Sequence, residues 1–448
     1  MRAFVLWASL AAGALSLSAQ SGEAPKEPPV SVKAQPKIPS IAGSPLDDVL
    51  PGWLKIGGVL RGRFEEPSGI GFAPVSDGYY ASRLRLNITV RPLSWVTLYT
   101  EVQDSRMLGY SRGPVAPVSF YNPADFRQAY IQLSSIEKTG MAFTAGRQEV
   151  NLGAGRLISC VDFNNSGRTF DMLRFVASFR GVRSEMFGGS VVLADSNRID
   201  RHKPGEHLYG SYFTLSRLIP LASVEPYLIV KTSIGAASEN GKIGNADAWT
   251  PGIRLAGKAI YRFDYSADAM LQYGHYAQDH IKVMAGAYML GWTYPSQLKP
   301  RVALEYVYAS GDTTNNDGVR GTFDQLYAGN HGFMGITDQT GWKNIRMPKA
   351  LFEISPTPKL KLTADFRELY LASVNDGYYL GNGNRSVLNR AATSPHVGSE
   401  IDLVGSYQLP YQVNVSIGYG RLTPGQFLIQ SKKTETYNFP YFMWAKRF

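Results

Sequence analysis

The chain has one cysteine, Cys160, in 448 residues, so no intrachain disulfide can brace it. Beyond its first twenty residues it has no run of about 18 apolar residues, which excludes helical membrane spans. The six histidines (His202, His207, His275, His280, His331 and His396) show no zinc-ligand spacing. Neither a nucleophile elbow nor a phosphate loop is present. Acid is in short supply, with 36 Asp and Glu against 46 Lys and Arg, a net charge of +10. No linker, charge run or change of composition divides Trp53 from Phe448, and soluble single cores seldom grow that large.

The first residues, "MRAFVLWASLAAGALSLSAQ", join Arg2 to an apolar run and then to small residues. That is the pattern of a secretory signal peptide, expected over 1–19 with cleavage after Ala19. Residues 20–52 are rich in Pro, Lys and Ser and read as a periplasmic linker. The remainder, 53–448, reads as one exported unit.

Within that unit a period of two recurs. Arg83, Arg85, Asn87 and Thr89 alternate with Leu84, Leu86, Ile88 and Val90. Lys55, Arg61 and Arg63 alternate with Leu54, Ile56, Leu60 and Phe64, and Arg254, Lys258 and Arg262 with Ile253, Leu255, Tyr261 and Phe263. Such strands have one apolar and one polar face. A soluble sandwich would alternate as well, but with Lys, Glu and Thr on a face open to bulk water. Here the polar face carries Arg, Gln, Asn and Tyr in mid-strand. Roughly eighteen such segments of about ten residues are expected, the length of strands tilted through a bilayer. Short connections (91–94, 408–411) alternate with long ones (107–125, 151–169, 310–344, 373–395). The last residues, "YNFPYFMWAKRF", place Phe442, Trp444 and Phe448 on one parity, as in a closing strand at an aromatic belt. The fold predicted is all-β: a transmembrane antiparallel barrel of about 18 strands with long extracellular loops.

The polar parity, taken as inward, supplies Lys55, Arg61, Arg63, Arg83, Arg85, Arg174, Arg254, Lys258, Arg262, Arg301, Lys361 and Arg367. Fewer acids share it: Glu101, Glu225, Asp268, Glu305, Asp365, Glu400 and Asp402. An excess of guanidinium inside a wet bore concentrates anions, and its fork matches carboxylates. The expected cargo is an anionic polysaccharide or a small organic anion; the competing view is that these cations pair across strands and hold the wall together. Outer-membrane lipid and the barrel-insertion machinery are the other expected partners, with a periplasmic export scaffold a further candidate. No cofactor, catalytic residue or nucleic-acid partner is expected. A barrel enzyme or a general porin of different selectivity is the alternative, whereas a plug-bearing receptor lacks the residues for its plug. "GDTTNNDG" at Gly311 resembles a calcium loop loosely and reads better as a polar turn. "GTFDQLYAGNHGFMGITDQTGW" is expected to fold over or into the extracellular mouth as a constriction.

The ordered set "LKIGGVLRGRFEE", "RLRLNITVRP", "EVQDSR", "FRQAYIQL", "AGRQEVNLGAGRLIS", "NNSGRTFDMLRF", "GTFDQLYAGNHGFMGITDQTGW" and "HVGSEIDL" resembles the alginate export family over about 53–448. The resemblance implies a bacterial outer-membrane barrel of eighteen strands with arginines facing its pore. It adds Arg127 and Arg147 to the candidates and matches Glu400 and Asp402 on the inward parity. Strand parity ranks Arg127 with lipid-facing Ala129 and Ile131. Arg147 shares parity with Phe143 and Ala145, so it needs a bulge at Gly146 to reach the lumen, or lies beyond the hydrocarbon band.

Overall fold

The computed structural model describes residues 49–113, 117–258 and 260–448. The signal peptide expected over 1–19 and all of the linker except 49–52 lie outside the described residues.

Eighteen strands form the wall. The first seven are β1 (Leu54–Glu65), β2 (Tyr79–Leu93), β3 (Val96–Leu108), β4 (Asn122–Ser135), β5 (Met141–Gln148), β6 (Phe170–Phe179) and β7 (Val182–Leu193). After a two-residue strand β8 (Arg201–His202) come β9 (Glu206–Leu215), β10 (Ala222–Ala237), β11 (Ile243–Lys258), β12 (Phe263–Tyr276), β13 (Asp279–Thr293) and β14 (Arg301–Ala309). Another short strand, β15 (Val319–Arg320), precedes β16 (Ile345–Thr357) and β17 (Leu360–Leu371). A small hairpin, β18 (Tyr378–Tyr379) and β19 (Arg385–Val387), precedes β20 (His396–Leu409), β21 (Val413–Pro424) and β22 (Tyr437–Arg447). Successive wall strands pair antiparallel, and β22 pairs with β1 from Tyr441↔Glu65 to Arg447↔Val59. That pairing closes the sheet, so the wall has no free edge, as a lipid-exposed sheet requires.

The alternation holds. Arg61, Arg63, Arg83 and Arg85 are buried, whereas Leu84, Leu86 and Ile88 are exposed on the outer face. Eight connections at one end of the barrel are short, which marks that end as periplasmic. The long ones, 109–121, 149–169, 310–344 and 372–395, lie at the other end. The asymmetry is incomplete, because β12 and β13 meet over only 277–278 on the long-loop side.

Two readings of parity are corrected. β11 ends at Lys258, and Tyr261 and Arg262 adopt left-handed backbone (φ 59 and 69) in a periplasmic turn. Arg262 is therefore not a residue of the wall's inner face. Arg127 is buried rather than lipid-facing. Glu101 opposes Gln128 while Val102 opposes Phe126, so Arg127 is the extra residue of a β-bulge. Two successive side chains, Arg127 and Gln128, thereby turn inward.

Toward the extracellular end the inner face turns apolar. Val307, Met347, Leu369, Val397 and Leu422 are all fully buried, as are Phe323, Met334 and Trp342 from the long loop 310–344. A wet lumen would leave such side chains against water. Here the long loops cover them, and wall and loops share one hydrophobic core.

Candidate functional site: a bore narrowed by two loops

Register explains why the wall calls for a partner. Arg61 lies directly opposite Arg83 across the β1–β2 pair, with Arg85 opposite Val59. Like charges placed so repel and lose hydration together. The loop 149–169 supplies what they need. Arg61 Nη1 donates to the Asp162 carbonyl at 2.7 Å, and its Nη2 to the Asn164 carbonyl and Asn165 Oδ1, both at 3.1 Å. Arg83 Nη1 donates to the same two carbonyls at 3.0 and 3.2 Å. The Asp162 carboxylate sits 3.1 Å from Arg83 and 2.8 Å from Arg85. Burial works against its charge, but Arg83, Arg85 and Arg61 outweigh that and hold the carboxyl well below the usual range. Although the barrel encloses it, the Asp162 side chain is 58% exposed, so it faces open space within the bore.

Asn165 fixes this loop to the wall. It is fully buried, and its Nδ2 lies within donor distance of the carbonyls of Ser82, Arg106 and Phe120 (2.9–3.1 Å). Ser105 and Gln103 donate to the carbonyls of Asn165 and Ser166, both at 2.9 Å. At the base of the loop Arg127 donates to Glu149 at 2.8 and 3.1 Å. Burial raises the Cys160 thiol to about 11, so it stays protonated and inert at neutral pH.

The second in-folded segment, 310–344, meets the first. Ile158 and Tyr327 form a parallel bridge, and Phe163 stacks on His331 with ring centroids 3.5 Å apart. Arg63 lies 4.0 Å over the ring of Phe163 and also bonds Glu65 and the Phe163 carbonyl. Cation, phenyl ring and imidazole thus tie the wall to both loops. His331 Nδ1 is 3.0 Å from Asp338. On β17, Arg367 holds Asp402 at 2.7 Å, Asp365 at 3.1 Å and Glu400 at 3.3 Å. Ile336 N donates to Asp402 at 3.0 Å. The loop passes so close that only glycine fits at 335: a Cβ would come 2.1 Å from Glu400 Oε1 and 2.3 Å from Arg367 Nη1, with φ at +135. The expected entry of this loop into the barrel is thus seen, while the inward course of 149–169 carries no signal in composition or periodicity.

The other candidates fall into three kinds. Arg174 pairs with Glu185 through Nε at 3.0 Å, and Arg254 with Glu225 at 2.7 Å, both inside the wall. They act as cross-strand ties. Lys55 is half-buried near the periplasmic end and has no ion pair among the described residues. Arg147 stays on the outward parity, in register with Asp171, which it grips at 2.8 and 3.1 Å. Gly146 does not re-aim it, since the β4–β5 register runs unbroken through Tyr130↔Gly146 and Ala129↔Arg147. Arg147 therefore does not join the inward set; it lies at the extracellular end of β5, where its Nη2 also reaches the Asp200 carbonyl at 2.9 Å.

Among the described residues no group of three or more His, Cys, Asp or Glu is arranged to hold a metal ion, and the 311–318 segment is no exception. Ser190 Oγ lies 3.0 Å from His207 Nδ1, with no carboxylate hydrogen-bonded to that ring among the described residues.

Solved structures share the architecture at low identity. Pseudomonas aeruginosa OpdK, crystallised with vanillate, is 12% identical with a TM-score of 0.60, over 88% of this chain and 98% of that one. Pseudomonas aeruginosa OccK3 (OpdO) is 10% identical with a TM-score of 0.59, over 88% and 95%. Acinetobacter baumannii OccAB4 is 10% identical with a TM-score of 0.56, over 88% and 98%. A comparison with curated proteins finds no match. The alginate export profile matches residues 52–441, nearly the whole described chain. The chain belongs to the alginate export family and is a porin-like barrel of the Gram-negative outer membrane.

Proposed function

We propose that this outer-membrane channel passes organic carboxylates, uronate chains among them, along the arginines of β1 and β2. One observation carries the reading: Arg83 and Arg85 converge on a single carboxylate, Asp162, that is open to the bore, while Arg61 holds the carbonyl of the same residue. A carboxylate entering that space meets guanidinium forks already held in place by Asn165 and the loop carbonyls. Pre-organised charge binds an anion without first reordering side chains. The two loops favour a slender cargo, a small acid or one extended chain, over a bulky one. OpdK was solved with vanillate, an aromatic carboxylate, which suits the same chemistry. The test is current through single channels in planar bilayers with a uronate oligomer on one side. Concentration-dependent block supports the reading, and block that persists after Arg61→Ser with Arg83→Ser contradicts it.

A further inference from the structure

The two ends of the barrel differ in charge. The nine extracellular connections hold 13 acidic side chains and 13 Lys or Arg. The eight periplasmic connections hold six cations, Lys138, Arg180, Arg217, Arg262, Lys299 and Lys359, and one acid, Glu137. All six cations are exposed, and none forms an ion pair among the described residues. They occupy six successive turns, from β4–β5 round to β16–β17, and the two turns beside the β22–β1 closure, 94–95 and 410–412, carry none. Beside them stand exposed apolar side chains, among them Trp95, Phe179, Leu218 (66%), Tyr261, Leu298 and Tyr411 (88%). Arg180 lies 5.0 Å over the ring of Phe179.

From this we infer that the periplasmic rim is a binding girdle for anionic phospholipid headgroups of the inner leaflet. The apolar members sit at the level of the acyl chains, while the longer cations extend past them to the phosphates. A belt over six of the eight turns suits lipid, which surrounds a barrel, better than a scaffold protein or a polymer, which would touch fewer of them. Two zwitterionic leaflets would give no reason for one end to be balanced and the other basic. Each cation near an anionic lipid surface contributes about 1 kcal/mol, or roughly fivefold in relative association.

The full-length barrel is reconstituted in vesicles containing brominated phosphatidylglycerol or brominated phosphatidylcholine, and tryptophan quenching is compared. Trp53, Trp95, Trp292 and Trp444 lie at the periplasmic end as reporters. The expected result is a preference for phosphatidylglycerol of about fivefold at low salt. That preference should fall toward unity in 0.5 M salt and in a variant with all six cations changed to Gln. Exchanging each Lys for Arg and each Arg for Lys should keep it, which separates charge from damage to the turns; heat-modifiable migration checks folding of each variant. Equal quenching by the two lipids overturns the inference, as does a preference that survives the six Gln substitutions. Loss of uronate-oligomer binding in the six-fold variant with lipid preference intact overturns it too, and would assign the rim to the polymer.

Discussion

Arg85 Nη1 and Asp162 Oδ1 lie 2.8 Å apart across 77 residues of sequence, joining the barrel wall to a loop inside the bore. Arg83, Arg85 and Arg61 all lie near this carboxylate, and Arg85 also lies 3.6 Å from Glu149. Changing Asp162 to Asn removes the balancing charge and keeps the size, so the chloride preference of the channel should rise. More than half of the carboxylate is exposed but Arg83 and Arg85 are buried, so the change should loosen the 149–169 loop while the closed wall stays folded, which heat-modifiable migration checks. Reversal potentials of Asp162→Asn and parent in a salt gradient decide the point. An unchanged potential means that Asp162 does not lie on the ion path.

Gly335 tests whether the second loop narrows the bore. Its backbone is left-handed, and a Cβ would overlap Glu400 and Arg367. Gly335→Ala should cost on the order of 1–3 kcal/mol locally and push the loop away from Arg367. Conductance should increase while heat-modifiable migration is retained. Conductance equal to the parent would place the loop clear of the conducting path.

The extracellular rim should respond to pH. Burial, and after it a hydrogen bond with Asp125, pushes the Asp200 carboxyl up to about 7. Its folded-state pKa lies above the unfolded value, so between roughly pH 4 and 7 the folded rim binds the additional proton. Stability from this group is present at low pH and is lost as pH rises through about 7. The segment 194–205 should then exchange amide hydrogen faster at pH 8 than at pH 6, after correction for intrinsic rates. Asp200→Asn should flatten that difference. A parent protein with no difference refutes the assignment.

Parity made the wall legible. Arg61, Arg63, Arg83, Arg85, Arg254 and Arg367 all turn inward, because a strand closed between lipid and lumen keeps its period of two. It failed at Arg127, where one bulged residue reverses the faces, and at Arg262, where a turn with two left-handed residues interrupts an alternation that continues in sequence. The in-folding of 149–169 was invisible for a different reason. Its anchors are carbonyls and one asparagine, Asn165, whose partners lie 45 to 83 residues away. Hydrophobic patterning contains nothing about such bonds. The competing view of the arginines, that they pair across strands, describes Arg174 and Arg254 well and Arg61 poorly, since Arg61 donates only to loop residues.

Arg127 supplies a second test of the loop's base. It is buried and pairs with Glu149, which also lies 3.6 Å from Arg85. Arg127→Ser leaves Glu149 with one distant partner and should cost about 1.5–3 kcal/mol, the range for hydrogen bonds to charged groups. Protease cutting within 149–169 should accelerate in the variant. Cutting at the parental rate would mean that the loop is held by Asn165 and the wall arginines alone.

The most direct measurement is the reversal potential of single channels across a potassium chloride gradient, at 0.1 M and again at 1 M salt. The arrangement of Arg61, Arg83 and Arg85 predicts preference for chloride, weaker at high salt because screening contracts from about 10 Å to about 3 Å. Arg61→Ser with Arg83→Ser should move the potential toward potassium with the barrel still heat-modifiable. A parent channel that prefers potassium at low salt would contradict the anion path through these residues.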